Sequence, residues 1–321
     1  MKELLNRYLK KPQIVREAAQ AQAGQKLWLE VLIFLGVFMV SSMAMSPFMM
    51  IGMVALLIFN PNSMLALKAG DFEAYQDLVN QISNSEGYMI IMLFADIMMI
   101  VIVVLFAKLI QKRKIHTIGF TKKGFAKEYF VGMVAGFVLF SAAILICVIT
   151  GALKINGLSA QIPVFLITMY FLGYLVQGMA EEVLCRGYFM VSVARKYSMI
   201  TAILVNALAF AALHLFNNGI TVLAFINLTL FGIFASVYFV KRGNIWGIAA
   251  LHSVWNFVQG NFYGIQVSGM RLSSSVLSAE VVEGAGFING GSFGLEGGIA
   301  VTICLVIGTV ILLLCPQRNA A

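Results

Sequence analysis

A chain of 321 residues with 60% hydrophobic and only 11% charged side chains cannot cover its apolar surface with a polar skin; soluble domains carry about 25% charged residues. Lipid must be the solvent for much of it, which excludes a soluble enzyme, a disordered scaffold and a disulfide-stapled secreted module. The net charge of +8 collects between apolar stretches, so it reads as membrane topology and attraction to anionic lipid, and no nucleic-acid partner is expected.

Residues 1–30 form a basic N-terminal segment with Lys2, Arg7, Lys10, Lys11, Arg16 and Lys26. It has no signal-peptide cleavage pattern, and its stretch before Pro12 reads as a positive anchor rather than an amphipathic surface helix. Eight apolar runs follow, at about 31–58, 88–107, 129–152, 163–194, 199–216, 221–240, 244–262 and 298–315. Crossing the hydrocarbon core takes about 20 helical residues, so the 163–194 run must tilt or project. Asn217-Asn218-Gly219 divides the fifth run from the sixth. Of 22 Lys and Arg, 18 fall on one side of these runs and three, Lys68, Lys154 and Arg271, on the other. The positive-inside bias then places both termini in the cytosol. The expected fold is an all-α membrane protein with about eight transmembrane helices. Its divisions are 1–30, helices in 31–160, a core at 161–262, an extracytosolic loop at 263–297 with a Gly-rich end, and the last helix with its tail at 298–321. The loop is expected to be plain connection. Cys147, Cys185, Cys304 and Cys315 stand apart from one another, with no zinc or redox spacing.

Charge inside a membrane segment is costly, and the few charges found there are functional candidates by default. They are Asp96, Glu181, Glu182 and Arg186, joined by the intramembrane histidines His214 and His252. Glu182 and Arg186, four apart, share a helix face and can pair. Glu181 points about 100° away with no local partner, and a carboxylate left in low dielectric moves toward the range of a general base. His252 and Asn256 lie one turn apart and can both donate toward a developing oxyanion. His214 falls about six residues, roughly 9 Å, beyond the middle of its run, an offset that helix tilt or a later start must absorb. Asp96 either lines the cavity or, the preferred reading, makes a structural polar contact, and His116 belongs to a basic loop.

Three motifs occur in order on separate expected spans: Glu181-Glu182-x-x-x-Arg186, Phe210-x-x-x-His214 and His252-x-x-x-Asn256. Together they resemble the CPBP family of CAAX proteases and bacteriocin-processing intramembrane proteases. The run from Gly291 to Gly298 is also similar to bacterial members. The resemblance implies a CPBP-type catalytic core at 161–262 in an integral, multi-pass protein of a bacterial cell membrane. It implies an endopeptidase acting on membrane-associated, possibly lipidated, proteins or peptides. In it Glu181 and His214 hold and activate water, His252 and Asn256 stabilise the oxyanion, and Glu182 and Arg186 order the site. No cofactor is obligatory in this reading. Zinc is the possible one, with Glu181, His214 and His252 as its ligands, although no His-Glu-x-x-His helix is present. A serine mechanism lacks a Ser/His pair in reach, and an aspartyl mechanism lacks a second intramembrane Asp. Two other classes stay open: a proton- or cation-coupled carrier using the same titratable groups, and a catalytically silent immunity or scaffold protein. No internal repeat supports the carrier.

Overall fold

The computed structural model describes residues 9–318, and Lys2 and Arg7, with the rest of the first eight residues, lie outside the described residues. An amphipathic helix does occur near the N-terminus, but it follows Pro12: α1 (Gln13–Ala21) buries Ile14, Val15 and Ala18. Pro12 is suited to that boundary because it supplies no backbone N–H to a helix. The His116 ring pairs with Glu17 of α1 and holds its carboxyl below the ordinary glutamate range.

Each of the eight apolar runs is helical. They are α2 (Leu27–Phe59), α5 and α6 (Glu86–Ala95 and Ile97–Leu105), α7 (Phe125–Ile149), α8 (Val164–Glu182), α10 (Met199–Ala212), α11 (Val222–Arg242), α12 (Trp246–Phe257) and α14 (Ile299–Leu314). Between them lie α3 (Pro61–Ala69), α4 (Phe72–Ser83), α9 (Val191–Ala194) and α13 (Gly286–Asn289). Among the described residues five helical stretches are long and apolar enough to cross a membrane: 27–59, 86–110, 125–149, 164–194 and 222–242. The chain is therefore an integral membrane protein of all-α type. The other three runs form shorter helices. One of them, α12, is enclosed by protein, with every residue from Gly247 to Asn256 buried, so lipid thickness does not set its length.

Two connections carry secondary structure of their own, and in the 263–297 segment this departs from the expected plain connection. Helices α3 and α4 fill the link after α2. Farther on, β1 (Leu153–Leu158) pairs antiparallel with β2 (Leu277–Val281), with a register shift between Ile155 and Gly157. This ribbon ties the link after α7 to the 263–297 segment. Two strands so far apart in sequence satisfy each other's backbone groups without leaving a local periodic signal.

The described chain ends meet. Lys10 and Gln317 exchange two hydrogen bonds, of 3.2 and 2.9 Å. At the same end of the bundle two acids outside the expected spans prove buried. Glu30 pairs with Arg195 at 3.0 Å, and Glu128 pairs with Arg242 and Arg318 at 2.6 Å each.

Packing around α12 is at backbone contact. A Cβ on Gly132 of α7 would lie 2.0 Å from the Gly247 carbonyl oxygen, and one on Gly136 would lie 2.4 Å from that of Leu251. On the opposite flank, a Cβ on Gly178 of α8 would meet the Ser253 hydroxyl at 2.4 Å. Small residues four apart let helices approach this closely without a hydrophobic driving force between them. Helix α12 is thus clamped between α7 and α8. Gly132→Leu should lower stability by about 1–3 kcal/mol or more, since the overlap is with backbone; an unchanged midpoint of SDS-induced unfolding in micelles would contradict the clamp.

Candidate active site

Helix α8 brings Gln177, Glu181 and Glu182 to mid-bundle. It then widens into a π-helical stretch, Val183–Met190, which carries Arg186; such wide turns recur at functional sites. The two adjacent acids part company there. Glu182 is fully buried, and one of its oxygens accepts from Arg186 Nη1 at 2.9 Å and faces His252 Nδ1 at 2.9 Å. The Arg186 guanidinium lies over the Phe210 ring at 4.5 Å and 5.9 Å from that of Phe231. Among the described residues Arg186 Nε and Nη2 have no hydrogen-bond partner, so the Glu182 carboxylate and the ring faces are what offset burial of this charge.

Glu181 turns into a cavity of 460 Å³ that His214, His252, Asn256 and Asp96 also line. Its side chain is 24% exposed, against none for Glu182. Contrary to the expectation of no local partner, the Gln177 amide one turn earlier donates to it. The Gln177 carbonyl oxygen in turn accepts from Asn256 Nδ2 at 3.0 Å, and His252 Nε2 lies 3.8 Å from Glu181. A polar relay, Asn256 to Gln177 to Glu181, therefore links α12 to α8. Gln177 escapes a search confined to charges and histidines, yet an amide one turn from an intramembrane acid was a usable signal.

His214 is not on a helix. Helix α10 ends at Ala212, and His214 sits in the turn that leads to Asn217-Asn218-Gly219. His214 Nδ1 is 2.9 Å from the Phe210 carbonyl oxygen. A carbonyl only accepts, so Nδ1 carries the hydrogen and Nε2 keeps its lone pair when the ring is neutral. Asp96, read from the sequence as a structural contact, sits between α5 and α6 and lines the same cavity. Met45 and Met49 of α2, with Met89 and Met92 of α5, form an apolar wall. Among the lining residues the acids are Asp96, Glu181 and Glu296, and there is no Lys or Arg.

Zinc would need three convergent donors. Among the described residues no group of three His, Cys, Asp or Glu side chains is placed to hold a metal ion, so Glu181, His214 and His252 as arranged do not make one. Removing one partner of the buried pair should be severe: Glu182→Ala strands Arg186 and should cost about 3–5 kcal/mol. Thermal unfolding in detergent checks this, and a variant as stable as the wild type would contradict a fully buried pair.

Residues 163–258 match the family model described as type II CAAX prenyl endopeptidase Rce1-like. No curated protein and no solved structure matches the chain. The matched interval runs from the start of α8 past the end of α12. It contains Glu181, Glu182, Arg186, His214, His252 and Asn256, and leaves Asp96 and Glu296 outside. The 163–258 segment, which carries the three motifs, is thus similar to type II CAAX prenyl endopeptidases of the Rce1-like kind.

Proposed function

We propose that the chain is an intramembrane endopeptidase that hydrolyses peptide bonds of membrane-associated or lipidated proteins with a water activated by Glu181 and His214. The observation that carries this reading is the Glu181 carboxylate, oriented by Gln177 and opening onto the cavity lined by His214, His252 and Asn256.

Each group has a distinct task. A water between Glu181 and His214 Nε2 meets two acceptors, which withdraw its proton as it attacks the scissile carbonyl. The proton then passes to the leaving amine. Asn256 spends one amide hydrogen on Gln177 and has a second to offer the oxyanion. His252 Nδ1 faces the Glu182 carboxylate, so Nε2 can donate to the oxyanion only as an imidazolium. In that state Arg186 and His252 balance Glu181 and Glu182, and the cluster is neutral as a whole. Glu182 and Arg186 act by holding His252. No step runs through a metal. The methionine wall suits an apolar segment or lipid chain of the substrate.

Asp96, placed in the cavity with Glu181, gives the carrier reading its one specific support. Ion flux in liposomes without proteolysis would favour it. On the protease reading, Glu181→Ala, His214→Ala or His252→Ala lowers cleavage about 100-fold to 10,000-fold. Asn256→Ala lowers it about 100-fold to 1,000-fold. The substrates are found by mass spectrometry of membrane peptides from wild-type and Glu181→Ala cells. Persistent cleavage by the three folded alanine variants would sink the mechanism. Chelated protein verified as metal-free should retain activity; complete loss restored only by zinc would overturn the metal-free route.

A further inference from the structure

Two carboxylates from outside the matched segment, Asp96 and Glu296, reach the same cavity, and Glu296 is the one tied to the elements that carry His214 and His252. Glu296 lies in a 3-10 turn, Leu295–Gly297, within the Gly-rich run before α14, and it is buried. One oxygen accepts from the Ser268 N–H at 2.9 Å and from the Ser268 hydroxyl at 2.7 Å. The other accepts from the Trp255 indole at 3.3 Å. Trp255 sits on α12, directly before Asn256 and three residues after His252.

Ser268 continues the connection. Its carbonyl oxygen accepts from the Asn217 side chain at 3.1 Å, and the Asn217 N–H donates to the His214 carbonyl at 3.0 Å. Glu296 therefore joins the helix bearing His252 and Asn256 to the turn bearing His214. Ser268 has φ +47°, a left-handed conformation that a non-glycine residue adopts only where its surroundings hold it there. The Glu296 turn has its own anchorage. Asn227 Nδ2 donates to the carbonyls of Glu296 and Gly298 at 2.8 and 2.9 Å, and Thr302 donates to Asn227 Oδ1 at 2.6 Å. Gly294, at φ +97°, seats this loop against the 264–270 segment so closely that a Cβ would lie 2.0 Å from the Gln266 carbonyl oxygen.

We propose that Glu296 is a positioning residue, fixing the His214 turn in register with His252 and Asn256. The importance given to that register rests on the protease reading; the coupling itself does not. His214 lies outside a helical ladder, so contacts with neighbouring segments must define its place. Three donors converge on Glu296, and a carboxylate, with only acceptors, can serve all three. A glutamine turns an NH2 group toward one set of those donors.

The chain has three histidines, His116, His214 and His252, so NMR of the full-length protein in micelles with isotopically labelled histidine gives three side-chain signals, assigned by single His→Gln variants. Glu296→Gln should shift both the His214 and His252 signals and leave that of His116 in place. Glu181-dependent cleavage should fall up to about 100-fold in kcat, with KM within about twofold. A folded Glu296→Gln protein whose His214 and His252 signals coincide with the wild type overturns the proposal. So does a displacement of all three signals together, which marks a general loss of fold. If Glu296→Gln does not fold, Ser268→Ala, which removes one of the three bonds, is read by the same criteria. Unmoved signals in an enzyme that still requires Glu181 sink the Glu296 proposal alone. Moved signals in a protein without Glu181-dependent cleavage support the coupling and sink the protease reading.

Discussion

A single buried oxygen of Glu182 holds the centre of this bundle together. It bonds Arg186 on its own helix and His252 on α12, while Phe210 of α10 and Phe231 of α11 cover the guanidinium. Four helices thus converge on one ion pair. Desolvating two charges costs several kcal/mol per ion unless geometry and further bonds compensate. Here the compensation comes from the histidine and two aromatic faces. The arrangement is better understood as a means of fixing where His252 points than as a source of stability.

The neighbouring Glu181 shows what one residue of helical rotation does. Both acids have the same chemistry and nearly the same depth, but one is enclosed and neutralised while the other meets a cavity and an amide. Pairs of titratable groups in divergent surroundings are how one fold assigns a structural task to one acid and a reactive task to the other. The divergence depends on the backbone-level clamp at Gly132, Gly136 and Gly178, because a wider gap beside α12 would let water reach the pair and screen it.

Much of this was legible in the chain itself. Apolar runs poor in charge marked where helices lie, five of them long and apolar enough to cross a membrane among the described residues, since a backbone in lipid must satisfy its own hydrogen bonds and has few other options. The rarity of charge within those runs singled out Glu181, Glu182 and Arg186, and the motif order located His214, His252 and Asn256. What escaped was the part governed by long-range contacts. The β1–β2 ribbon joins segments far apart in sequence. Glu30 and Glu128 look like loop acids until Arg195, Arg242 and Arg318 are brought to them. Gln177 was hidden because an uncharged amide does not interrupt a charge-free run, and Glu296 because a Gly-rich loop resembles plain connection. The turn at His214 was missed because apolar composition continues past the last helical residue.

The cavity has two walls of opposite mechanical character. On one side, α12 is locked to α7 and α8 through contacts that leave no room even for a methyl group. On the other, Met45, Met49, Met89 and Met92 present unbranched thioethers with three rotatable bonds each, a lining that reshapes itself around whatever apolar group enters. On the proposed protease reading, selectivity should accordingly be lopsided: strict about the peptide bond offered to the fixed wall, and tolerant of the length and branching of what leans against the sulfur-lined one.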